Sequence, residues 1–120
     1  MNIDAQLASM IELSCSVRVY VPSTAGIDAP IDTTAIVAAT QHRLAEWFGG
    51  ATTFDALGSW VSPTAGLVDE RVRIVQAHCT SAQLETHIEL VVQHARTMRR
   101  ELGQDAVAIE VNNRLYLVRD

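Results

Sequence analysis

From Ile11 to Val21, apolar and polar residues alternate without a break. Ile11, Leu13, Cys15, Val17, Val19 and Val21 hold one parity; Glu12, Ser14, Ser16, Arg18 and Tyr20 hold the other. Successive side chains of a strand point to opposite faces, so this run predicts a strand with one face on a core. A different rhythm follows the turn-rich stretch Pro22–Pro30. Asp32, Thr33 and Thr34 offer a helix cap, and Ile36, Val37, Thr40, Leu44, Trp47 and Phe48 recur at three- and four-residue steps. Gly49-Gly50 ends this first helix, because glycine enters the left-handed conformation freely.

Phe54 to Val61 reads as a second strand, weakened by Gly58, with Ser62–Gly66 as a hairpin loop. Leu67 to Cys79 reads as the third. Its apolar face changes: Val68, Val72 and Ile74 share one parity, and Val75, Ala77 and Cys79 the other. That change predicts a bulge near Arg73 or Ile74. Thr80-Ser81-Ala82-Gln83 has the spacing of a capping box. Leu84, Ile88, Val91, Val92, Ala95, Met98 and Leu102 then mark a second helix that stops before Gly103. Val107–Val111 and Arg114–Val118 flank Asn112-Asn113, two residues that tolerate positive φ, so a two-residue primed turn is expected.

This order predicts an α+β fold, specifically a ferredoxin-like two-layer sandwich. It is βαββαβ plus a C-terminal hairpin strand, an antiparallel sheet with two helices on one face. With no repeat, low-complexity stretch or linker, residues 1–120 read as a single domain. A two-residue turn sets Val111 opposite Arg114, Ile109 opposite Tyr116 and Val107 opposite Val118. The other face then carries Ala108, Glu110, Leu115 and Leu117, so both faces are substantially apolar. A sheet open to water needs only one such face. A symmetric partner would cover the second, which predicts a homodimer; a ligand lying against the sheet is the rival.

Composition narrows the functional classes. At 120 residues and 48% hydrophobic, the chain can bury a core without metal or disulfide staples. A net charge of −5 argues against non-specific nucleic-acid binding. All nine basic residues are arginine. The absence of lysine removes a Walker phosphate loop and Schiff-base chemistry, and suits a GC-rich bacterial genome. Met1–Met10 contains Asp4 and no positive stretch before an apolar run, so no signal peptide is expected, nor a membrane span. The expected location is the cytoplasm, with Cys15 and Cys79 as reduced thiols. The first and third strands are neighbours in this topology, which would bring those two cysteines close.

The candidate chemistry is thin. His78 and Cys79 are the one adjacent pair resembling a reactive site, and the start of the second helix would lower the thiol pKa. Against this, a regular strand points the two side chains to opposite faces, and free cysteine is commonly a buried structural residue. His87 and His94 lie seven residues apart, about 10.5 Å along a helix and too far for one zinc ion, so solvent-facing histidines and no metal are expected. Arg96, Arg99 and Arg100 complement the C-terminal end of the helix dipole, the alternative being an anion contact. Glu12, Asp55, Asp69, Glu70 and Glu110 show no spacing that pairs two carboxylates for acid–base work. The third strand lacks the aromatic residues of an RNA-recognition sheet.

The binding candidates are Arg18, Tyr20, Trp60, Glu70, Arg71 and Tyr116, with Trp60 near the hairpin tip able to anchor a partner. Gly58-Ser59-Trp60 followed by Asp69-Glu70-Arg71 resembles hairpins of small bacterial ferredoxin-like proteins. Glu110–Leu117 is similar to the ends of small plasmid- or phage-borne ones. The resemblance implies the fold and a mobile-element origin, with no catalytic residue. The chain thus reads as a non-enzymatic, homodimeric protein that binds a protein or small-molecule partner through its second sheet face and hairpin loop, without a cofactor. The alternative is a small enzyme using Cys79 or His78 at a sheet-edge pocket.

Overall fold

In the computed structural model, residues 2–26 and 29–120 are described. Ile27 and Asp28 of the expected Pro22–Pro30 turn lie outside the described residues, as does Met1. The elements in chain order are α1 (Ile3–Leu7), β1 (Cys15–Pro22), β2 (Thr24–Ala25), β3 (Ala29–Pro30), α2 (Thr34–Phe48), β4 (Thr52–Ser62), β5 (Gly66–Cys79), α3 (Ser81–Leu102), β6 (Val107–Val111) and β7 (Arg114–Val118). The main sheet has five strands in the order β4-β5-β1-β6-β7, every neighbouring pair antiparallel. The fold is therefore α+β, with α2 and α3 packed on one face of the sheet.

Burial follows strand parity. Val17, Val19 and Val21 of β1, Val75, Ala77 and Cys79 of β5, and Val107 and Ile109 of β6 meet the helices in one core. The helices contribute Val37, Leu44 and Phe48 from α2, and Val91, Ala95, Met98 and Leu102 from α3. Each helix end is fixed locally. The Thr80 side chain accepts from the Gln83 N–H while Gln83 reaches back to the Thr80 N–H, completing the expected capping box. Gly49 and Gly103 adopt left-handed φ of 91° and 61° at the helix C-termini. Asn112 and Asn113 take φ of 52° and 66°, and the hairpin register pairs Val111 with Arg114 as expected.

Two expectations need correction. The first strand begins at Cys15, four residues later than the alternation suggests, and Ile11 is 92% exposed. The reason is pairing: Cys15 meets Cys79, the last residue of β5, and β6 joins β1 only from Val17 onward. Ile11 to Ser14 alternate correctly but have no neighbouring strand to bond. The bulge near Arg73 or Ile74 is also absent, since β5 runs in unbroken register against both β1 and β4. Its apolar residues change face because the helices cover only the Val75–Cys79 half. Ile74 is buried on the opposite face, outside the helix-side core.

The β4–β5 hairpin consequently overhangs the helix layer. Leu57, Val61 and Leu67 are exposed along it, Leu57 by 72%. Neither α1 nor the short β2–β3 ladder shows in the sequence pattern, being too short to carry a period.

Candidate functional site

The central strand β1 bonds β6 over only three pairs, Val17 with Val111, Arg18 with Glu110 and Val19 with Ile109. Beyond Val19 the strands part. Tyr20 and Pro22 continue against β5 alone, while Val107 and Ala108 continue against β7 alone. The gap is a largely apolar cleft of about 630 Å³. Tyr20 and Pro22 form one wall, Val107, Ala108 and Leu117 the other, and Gly103–Ala106 close the end. Trp60, Pro63, Glu70 and Val72 reach in from the overhanging hairpin. Its volume falls in the range of small-molecule sites.

Backbone ties hold the closing turn in place. Gly26 N–H donates to the Leu102 carbonyl at 2.8 Å. The Gln104 side-chain amide donates to the carbonyls of Thr24 and Gly26 at 2.8 and 2.7 Å. These bonds clamp the segment after β1 onto the turn between α3 and β6, so the mouth keeps its shape without strand pairing.

The polar groups of the cleft are few. Burial pushes the Glu70 carboxyl above its ordinary value, opposed by the Ser23 backbone N–H and the Trp60 indole. Trp60, on β4 opposite Val68, is 36% exposed, so its ring is available to a ligand while its N–H serves Glu70. Burial and then Glu110 raise the Tyr20 phenol, with Arg18 pulling the other way. Arg18 itself sits 3.4 Å from Glu110, bonds Gln76 at 2.5 Å and covers the Phe54 ring at 5.7 Å. Tyr20 therefore stays a neutral phenol, fixed by an ion pair next to the cleft.

Tyr20, Trp60 and Glu70 are thus brought together, with Arg18 behind Tyr20. Arg71 and Tyr116 are not part of this cleft. Arg71 lines a separate hollow of about 340 Å³ near the start of α2, and Tyr116 lines a groove between α3 and β7. His78 and Cys79 stand at the far end of β5. His78 is exposed and bonds Gln76, while Cys79 is fully buried. Burial, then the neighbouring Cys15, pushes the Cys79 thiol up, opposite to the lowering expected from the start of α3. The two cysteines are cross-strand partners and both are free thiols.

The helix histidines also differ from expectation. His87 and His94 are half-buried toward α2 instead of facing solvent. His87 stacks on Trp47 at 6.4 Å and meets Phe48 edge-on, and His94 Nε2 lies 2.7 Å from the Thr40 hydroxyl. The arginine cluster divides. Arg99 bonds the Gln104 carbonyl and Asp120, Arg100 lies 3.6 Å from Asp120, and Arg96 joins neither. Among the described residues no group of three His, Cys, Asp or Glu side chains could hold a metal, and no helix is long and apolar enough to cross a membrane.

Sequence reasoning missed Gln104 and Glu110 as parts of the site. Glu110 was traceable, because hairpin parity already placed it on the same face as Arg18. Gln104 was not, since its role depends on a loop returning from 80 residues earlier in the chain.

Neither a protein-family model nor a curated protein sequence matches the chain. Solved structures do. A phage SAM lyase in complex with S-methyl-5'-thioadenosine superposes with a TM-score of 0.66 and 16% sequence identity, over 93% of this chain and 97% of that one. A phage SAM lyase in the apo state gives 0.60 at 17% identity, over 92% and 95%. At these identities the likeness is one of fold.

Proposed function

We propose that the cleft between β1 and β6 binds S-adenosylmethionine and that the chain is a phage-type SAM lyase releasing S-methyl-5'-thioadenosine. The observation carrying this reading is the cleft itself: an aromatic, largely apolar site of nucleoside size holding one half-buried carboxylate, Glu70. It lies in a fold that matches, end to end, a protein bound to that thioether. Strand order and the helices on one face support a ferredoxin-like arrangement.

The chemistry asks little of the protein. Breaking the bond between sulfur and the Cγ of the amino-acid arm sends the bonding pair to sulfur and cancels its positive charge. The arm's own carboxylate oxygen closes on Cγ as a five-membered lactone, so atoms balance without water and no proton is removed. The protein supplies orientation and charge matching. Trp60 offers a face for adenine, and Glu70 answers the cationic end of the substrate. No acid–base carboxylate pair is required, in keeping with the lack of one.

Incubating the protein with S-adenosylmethionine and separating products by mass spectrometry tests the reading. S-methyl-5'-thioadenosine and the lactone should appear in equal amounts. Glu70→Gln should lower kcat/KM by about 10- to 100-fold, the loss of one charge-assisted contact. No product above the spontaneous rate overturns the lyase. A second reading is a non-enzymatic binder that uses the same apolar, aromatic cleft. It predicts calorimetric binding of S-methyl-5'-thioadenosine without turnover. In either case a homodimer in the cytoplasm is the assembly we favour, supported by the exposed Leu115 and Leu117 on the second sheet face.

A further inference from the structure

The chain has two cysteines, and its fold sets them against each other. Cys15 is the first residue of β1, Cys79 the last of β5, and the register pairs them directly. Both belong to the helix side of the sheet: Cys79 is fully buried in the core, and Cys15 packs against it at the rim, half-buried. The other core positions of these two strands are Val17, Val19, Val21, Val75 and Ala77, so packing alone asks for no sulfur here.

The geometry suits a covalent bond. Opposed residues of an antiparallel pair hold their Cα atoms about 4.5–5.5 Å apart, and disulfides join Cα atoms about 4.4–6.8 Å apart. The pair is also held in place from its other side. Ser16 N–H donates to the Asn112 side chain at 3.1 Å, and the Ser16 carbonyl accepts from Asn112 N–H at 3.0 Å. Access is one-sided. Residues 11–14, just before Cys15, bond to no strand, and the Cys15 side chain is partly exposed beside them; Cys79 is shut off from solvent.

We infer that Cys15 and Cys79 close a reversible disulfide by exchange with a low-molecular-weight disulfide, stapling the start of the central strand to the end of β5. The Cys15 thiolate attacks one sulfur of the small disulfide, expels the other half as a thiol and keeps a mixed disulfide. The Cys79 thiolate then attacks the Cys15 sulfur and expels the second half. Two protein thiols are oxidised, one small disulfide is reduced to two thiols, and those thiols take the protons the cysteines lose. Cys79, buried as it is, reacts only in the second step. The loop so closed spans about half of the chain, and a bond across so long a loop restricts the unfolded state strongly. Neither cysteine lines the cleft, so the inference holds whatever the cleft binds.

The test incubates the reduced full chain with oxidised glutathione in mildly alkaline buffer, then weighs the intact protein by mass spectrometry. The chain should lose two hydrogen atoms and retain no glutathione, and dithiothreitol should restore its mass. Peptide mapping should join Cys15 to Cys79 within one chain. Cys79→Ala should stop with one glutathione on Cys15, and Cys15→Ser should take up none. In urea, the oxidised chain should unfold at a midpoint roughly 1–2 M above the reduced one, a shift that Cys15→Ser does not show. A full chain that stays reduced, keeps glutathione without closing, links two molecules, or closes with no gain in midpoint overturns the inference.

Discussion

The two halves of β5 obey the same alternation and end in opposite circumstances. From Val75 to Cys79, alternate residues lie under α2 and α3 and are dry. From Leu67 to Arg73, the same parity has no helix above it and is exposed. Alternation therefore specifies which residues share a face, while the second layer decides whether that face becomes a core. In this protein the uncovered half is the one that reaches Trp60 and Glu70 into the cleft. Structure sits at one end of the hairpin and the candidate site at the other.

Substitutions can break or sharpen this contrast. Leu44→Ala, on the α2 face that packs over the covered half, should cost about 2–5 kcal/mol in urea unfolding, since Leu44 is fully buried among core residues. A loss below 1 kcal/mol would mean that the helix layer is loosely packed. Thr80→Ala, where the covered half hands over to α3, should cost about 1 kcal/mol by removing one side of the capping box.

His94 gives the covered half a pH dependence. Burial, then Arg43, lowers its pKa from 6.5, with Glu101 opposing. A depressed value means that the unfolded chain takes up the proton first, so stability is lost as pH falls below about 6.5. Unfolding midpoints should fall between pH 7 and pH 5, and less steeply in His94→Gln. Equal slopes would assign the dependence to another group. Leu57→Ser, on β4 opposite Arg71 of the uncovered half, should change stability by no more than about 0.5 kcal/mol. A larger loss would show that this face is covered in solution.

Much of the architecture was legible in the sequence because it rests on local rules. The 3.6-residue rhythm of Leu84–Leu102, the Thr80–Gln83 box and the Asn112-Asn113 turn each specify an element without help from elsewhere. Errors arose where a non-local partner decides the outcome. Ile11 and Leu13 fail to form strand because β5 stops at Cys79, and no property of Ile11 announces that. His87 and His94 turn inward because α2 lies against them. The site was legible in part: Tyr20, Trp60 and Glu70 were candidates individually. Their meeting depends on β1 and β6 separating after Val19, which is a property of register and not of composition.

The position of β1 in the sheet bears on how the molecule is made. It is the first long strand in the chain, yet its partners lie far along it. Arg18 bonds Gln76 and Glu110, 58 and 92 residues later. During synthesis β1 must therefore wait for β5, complete at Cys79, to pair one edge, and for β6, complete at Val111, to pair the other. The β4–β5 hairpin can zip by itself, but joining β1 to it and then to β6 closes loops of roughly 50 to 90 residues, high-contact-order steps that slow folding. A nascent chain stalled before β6 would leave the second edge of β1 unpaired beside Val17 and Val19, the place where it would be most prone to stick.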